Sequence, residues 1–259
     1  MESEPVCIRP FGGALGGEII AIDPSSPSSV RVGEGVARAL ARYGVLFGCT
    51  RALGLENTAA LAGLLGLQNR ISGVAPGARP CSLADCRMPE RVALMTDPLW
   101  RTEMPSALLL HADELPPRGG ESIWSSLAGA YDGLSVPMRR YLATLGAAHG
   151  RPHGGKEVWR PLVATHPLTG EAYLGISPDF TRRLGGVPED EGDAILRMLR
   201  NLLYLPENQI RVPWARGMFA LWDCRIAHHY AVGGFAEGGW QFSGFSFGAD
   251  PHPPPARIE

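Results

Sequence analysis

Histidine is the residue type to follow in this chain, because imidazole titrates near neutral pH and can either move a proton or bind a metal ion. His111-Ala-Asp113 sets an imidazole and a carboxylate two residues apart, a spacing that points both to one face of a strand. His228 and His229 are adjacent, so an extended backbone sends their rings to opposite faces. Asp97 precedes Pro98 and is either a carboxylate that orients a histidine or takes a proton, or the cap of a turn. Cys224 reads as a packed thiol.

The elements that must position these groups follow from apolar periodicity. Ile19, Ile20 and Ile22 mark a short strand; Val36, Leu40 and Tyr43 recur at helical spacing; Val45-Leu-Phe47 reads as a buried strand. Asn57 can cap a helix carrying Leu61, Leu64 and Leu65, and residues 71–88 show no period. Residues 107–115 predict a strand that runs into the turn cluster Pro116-Pro-Arg-Gly-Gly120, and Ile123-Trp124 resumes it before a helix around Ser126 to Leu134. Residues 162–164 and 173–176 predict a hairpin. Pro188 and its acidic successors open a helix with Ile195, Leu199 and Leu202 on one face. Met218–Trp222 and Trp240–Phe247 complete the strands. Many short strands with a few helices suit an α+β jelly roll.

Bulk properties exclude several partners. The 259 residues are 45% hydrophobic with a formal charge of −2, and the basic residues are scattered, so nothing marks a nucleic-acid or acidic-membrane surface. Five cysteines without a Cys-x-x-Cys pair suggest neither a disulfide framework nor structural zinc, and no apolar run of about 18 residues could span a bilayer. The expectation is a cytoplasmic protein with a small-molecule substrate, its oligomeric state open.

Several blocks, taken in order, resemble the taurine dioxygenase (TauD/TfdA) family of iron(II)/2-oxoglutarate oxygenases. They are Ile8–Ile22, Tyr43–Phe47, Met95-Thr-Asp97 with Ala107–Trp124, Thr165–Gly170, and Trp214–Asp223 continuing to Val232. The resemblance implies a double-stranded β-helix core with flanking α-helices over residues 1–250, while the Pro-rich tail at 251–259 reads from its own composition as disordered. It assigns metal-ligand positions to Met95, Asp97 and His229, a cosubstrate contact to Ser122, and cosubstrate arginines to the stretch after His229.

Two of those assignments fail on chemistry. Where the family has histidine this chain has Met95, whose soft, neutral thioether is a poor donor to iron(II). Residues 232–248 contain no arginine or lysine, and Trp240 and Gly244 occupy the arginine positions. From this paired loss follows the expectation of an enzyme without iron or 2-oxoglutarate, performing acid/base chemistry such as cyclisation, isomerisation, elimination or hydrolysis in specialised metabolism. Its catalytic residues would be His229, Asp97 and His111, in a pocket lined by Met95, Ser122, Asp113, His228, Trp240, Phe242 and Arg225. The alternatives are an iron(II)/2-oxoglutarate oxygenase with ligands drawn from Asp97, His229, His228 and His111, and a noncatalytic binding subunit.

Overall fold

The computed structural model describes residues 6–11, 13–22, 29–50, 98–115, 120–151, 154–232 and 241–247. Met95, Asp97, Trp240, the helix expected near 57–65, the stretch 71–88 and the tail 251–259 lie outside them. The described strands are β1 (Val6–Pro10), β2 (Gly17–Ile22), β3 (Val45–Cys49), β4 (Ala107–Glu114), β5 (Glu121–Ser126), β6 (Gly146–His149) and β7 (Val158–Pro161). They continue with β8 (Val163–Thr165), β9 (Ala172–Leu174), β10 (Thr181–Gly185), β11 (Gln209–Pro213), β12 (Met218–Asp223), β13 (Ala227–Val232) and β14 (Gln241–Phe247). Helices are α1 (Ser29–Tyr43), α2 (Leu127–Asp132), α3 (Val136–Leu142) and α4 (Glu189–Leu203).

A six-stranded sheet in the order β1-β2-β3-β12-β4-β14 meets a three-stranded sheet in the order β11-β5-β13. Strand alternation gives each strand of the larger sheet two destinations. Leu108, Leu110 and Ala112 of β4 and Ala220 and Trp222 of β12 turn inward, where they pack with Trp124, Val212 and Ala227 from the smaller sheet. Ala107, Leu109, Phe219 and Leu221 turn outward, against Val32, Val36 and Leu40 of α1. This is the double-stranded β-helix with flanking helices that the sequence pattern predicts.

Trp124 is fully buried at the centre, with ring centroids of Phe47, Trp222 and Trp214 at 5.1, 5.9 and 6.1 Å. A third core, under α2 and α4, gathers Leu127, Leu142, Leu174, Leu196 and Leu199. In α4 the buried stripe is Leu196, Leu199 and Leu203, one residue round from the predicted Ile195 and Leu202, which are only partly buried. The predicted hairpin is β8 with β9, and Ser126 caps α2 by accepting a bond from the Gly129 amide at 2.8 Å.

Gly44 joins α1 to β3 in a left-handed conformation at φ +70°, and its amide donates to Leu40 O at 2.8 Å. A Cβ there would lie 2.5 Å from Leu15 Cδ2. Gly44→Ala is therefore expected to cost more than about 1 kcal/mol, measured as a lower urea midpoint at unchanged slope.

Candidate active site

The site is built from β5 and β13, which pair antiparallel with His229 opposite Trp124 and Ala231 opposite Ser122. That register turns Ser122, Trp124 and His229 to the inner face. His229 is 2% exposed and lies between two indoles, its ring centroid 4.7 Å from Trp124 and 5.1 Å from Trp222. Its Nε2 is 2.8 Å from the Ser122 hydroxyl, which accepts a bond from Trp214 Nε1 at 2.8 Å. An indole nitrogen only donates, so the Ser122 proton is left to turn toward His229 Nε2, or the hydroxyl accepts a second bond from that nitrogen. Phe242 closes this side by packing edge-on to Trp214 at 5.0 Å.

A buried ionic cluster lies at the end of β12. Asp223 accepts bonds from the Arg225 backbone amide and Nε at 2.9 and 2.8 Å and from His166 Nε2 at 3.0 Å. The amides of Leu168 and Thr169 donate to His166 Nδ1 at 3.4 and 3.2 Å, so its proton is on Nε2, facing the carboxylate. Burial pushes the Asp223 carboxyl up, but the hydrogen bonds from Arg225 and His166, with the charge of the guanidinium, outweigh it and hold the group below the usual carboxylate range.

Several expected pocket residues lie elsewhere. His111 points outward, because its neighbours Leu110 and Ala112 point inward. Its ring bridges Thr50 Oγ1 at 3.1 Å and Asp113 Oδ1 at 2.8 Å, tying the end of β3 to β4. His111 and Asp113 thus face away from His229. His228 likewise turns to the outer face of β13, where it stacks on Tyr230 with centroids 6.0 Å apart. Arg225 spends its fork on Asp223 and borders a cavity with room for about one water, beside Leu99, Met104 and Arg160. Among the described residues no three His, Cys, Asp or Glu side chains come together as a metal site.

Four participants, Trp214, Asp223, His166 and Arg160, have no assigned role in the sequence reading. Trp214 directly follows β11 and alternates with Val212; Asp223 and His166 are 57 residues apart, and nothing local joins them. Arg160, 4% exposed, donates to Leu99 O at 3.2 Å and to Arg101 O at 2.5 Å, and burial lowers its pKa from the ordinary guanidinium value.

Two facing sheets around an inward histidine and serine define a jelly-roll enzyme core. The chain belongs to the TauD/TfdA family: the sequence profile described as taurine catabolism dioxygenase TauD, TfdA family matches residues 8–241. An alpha-ketoglutarate-dependent sulfate ester dioxygenase of Pseudomonas putida is 26% identical over 253 residues, covering 87% of this chain and 83% of that one. A Schizosaccharomyces pombe protein assigned to the alpha-ketoglutarate-dependent sulfonate dioxygenases is 35% identical over 133 residues, covering 46% of this chain and only 34% of its own length. The crystal structure of a taurine dioxygenase from Burkholderia xenovorans superposes with a TM-score of 0.76 at 25% identity, covering 95% of this chain and 90% of that one.

These relatives overturn the expectation of a metal-independent acid/base enzyme and of no cofactor, since those it is similar to are alpha-ketoglutarate-dependent dioxygenases. That expectation took two missing groups, the histidine replaced by Met95 and the arginines absent from residues 232–248, for a lost centre. Met95 removes one donor, while Asp97 and His229 remain in the sequence. No described helix is long and apolar enough to cross a membrane.

The buried cluster gives a pH-dependent prediction. Because the folded Asp223 carboxyl is held below its unfolded value, its contribution to stability is full above pH about 4 and is lost as pH falls through the folded value. Asp223→Asn should cost about 3 kcal/mol at pH 7. Denaturant melts of both proteins should converge as the pH is taken below about 4.

Proposed function

We propose that this protein is an iron(II)/2-oxoglutarate-dependent oxygenase of small organic anions, sulfate esters or sulfonates among them, working from an altered ligand set. The observation that carries the reading is the inward, buried His229 converging with the Ser122 hydroxyl in a chain of this family. Imidazole and carboxylate are donor types that suit iron(II), so His229 and Asp97 would hold the ion. When bound, iron and the 2-oxo acid supply the activation of oxygen for oxidising the substrate.

The chain's own residues do the rest. Trp124 and Trp222 hold the His229 ring from two sides and exclude water, so its orientation does not depend on the ion. Trp214 fixes the Ser122 oxygen, and that hydroxyl governs which nitrogen of His229 carries the proton. For Nε2 to bind a metal, the Ser122–His229 hydrogen bond must yield. In this reading Ser122 would also meet the cosubstrate, whose far carboxylate would find no arginine or lysine in residues 232–248.

Incubation with iron(II), ascorbate, 2-oxoglutarate, oxygen and a panel of alkyl sulfates and sulfonates should release succinate. Chelation should stop the release, added iron should restore it, and His229→Ala should lower it at least about a hundredfold. A folded protein that neither retains iron nor makes succinate with any of the panel ends this reading. Met95→His should tighten iron binding about tenfold or more by supplying the third donor. Trp240→Arg should lower the half-saturating 2-oxoglutarate concentration about tenfold by offering a fork to the free carboxylate.

A further inference from the structure

An open cleft of about 400 Å³ lies on the surface between the turn at Trp100 and the segment joining β6 to β7. It is lined by Trp100, Arg101, Thr102, Arg151, Gly154, Gly155, Lys156 and Val158. Three of these side chains are cationic and none is acidic, in a chain whose net charge is −2. The Arg151 guanidinium sits 4.2 Å from the Trp100 ring centroid and that of Arg101 5.5 Å, so two like charges are gathered about one aromatic ring. Among the described residues neither of them, nor Lys156, pairs with a carboxylate, although nearby Glu157 is taken up by Arg183 at 2.7 Å.

This arrangement is held in place from beneath. Buried Arg160 grips the carbonyls on both sides of Trp100, those of Leu99 and Arg101, and the Arg101 amide donates to Pro98 O at 2.9 Å to close the turn. Phe180 backs the indole, with centroids 6.3 Å apart. On the facing side Gly154 and Gly155 both have positive φ, at 95° and 125°, and a Cβ on either would meet nothing within 4 Å. A bare backbone next to three cations and a fixed indole leaves room for a ligand to come close. Gathered positive charge with no counterion among the described residues is relieved by an external anion, and the walls focus that field into the cleft.

We propose that this cleft binds the oxyanion end of an organic molecule, a sulfate, sulfonate, phosphate or carboxylate, with its planar apolar part against Trp100. Arg151 and Lys156 hold the anion, and Arg101 adds charge from the other side. The volume fits a small organic ligand and not merely an inorganic ion. Trp100 follows Asp97 by three residues, so the cleft lies next in sequence to the carboxylate assigned to the reaction centre. The inference rests on the oxygenase reading only in making this anion part of the substrate.

Isothermal titration of the metal-free full chain with phenyl sulfate, phenyl phosphate, benzoate and neutral phenol tests it without turnover. At least one of the anions should bind more tightly than phenol, and their order identifies the preferred oxyanion. Arg151→Ala and Lys156→Ala should each weaken that anion about fivefold, and the double variant more than tenfold. Affinity should fall with added salt, and Arg9→Ala, on β1, should change nothing. Equal binding of phenol and all three anions, or a double variant indistinguishable from the parent, overturns the proposal. A protein that binds phenyl sulfate through these residues yet never releases succinate keeps the cleft and loses the oxygenase. Succinate release with unchanged binding in the double variant does the reverse.

Discussion

The antiparallel register of β13 on β5 is the constraint on which the site depends. It sets His229 opposite Trp124 and Ser122 opposite Ala231, so imidazole and hydroxyl meet across the inner face. Side chains alternate with period two, and a slip of one residue would bring His228 inward and expel His229. The slip is blocked by packing: Trp124 and Ala227 belong to the interior, and Tyr230 is held outside by a hydrogen bond from Gln209 at 2.9 Å.

Polar groups enter this core only where partners are fixed. The row from Trp214 through Ser122 to His229 uses a donor-only indole to anchor a hydroxyl, which in turn meets the imidazole. The cluster of His166, Asp223 and Arg225 works in the same way at the end of β12, with backbone amides deciding the histidine tautomer. A carboxylate buried without these bonds would be neutral or costly; with them it stays ionised and joins the β8–β9 hairpin to the main sheet. Arg160 extends the principle to backbone, by spending a buried guanidinium on two carbonyls of one turn.

The interior and the surface therefore differ in character. Apolar walls and two indoles surround His229, which suits a reaction kept from water, while the cations gather at the open cleft beside Trp100. Net charge says nothing of this separation. A chain at −2 overall still presents a locally positive cleft, because field strength depends on where charges stand.

The sequence by itself determined the family, the jelly-roll class, the inward strands and the place of His229, because alternation and helical spacing are local patterns and the family blocks occur in order. Local chemistry also revealed Met95 and the arginine-free stretch, yet it overreached in turning two missing groups into a missing cofactor. Only the tertiary structure decided that His111 meets Thr50 at the end of β3, that His166 reaches Asp223 from 57 residues away, and that Trp214 reaches Ser122 from 92 residues away. Those outcomes depend on sheet pairing and on which face of each strand is buried. Both are set by contacts between segments far apart in the chain, which no single stretch of residues contains.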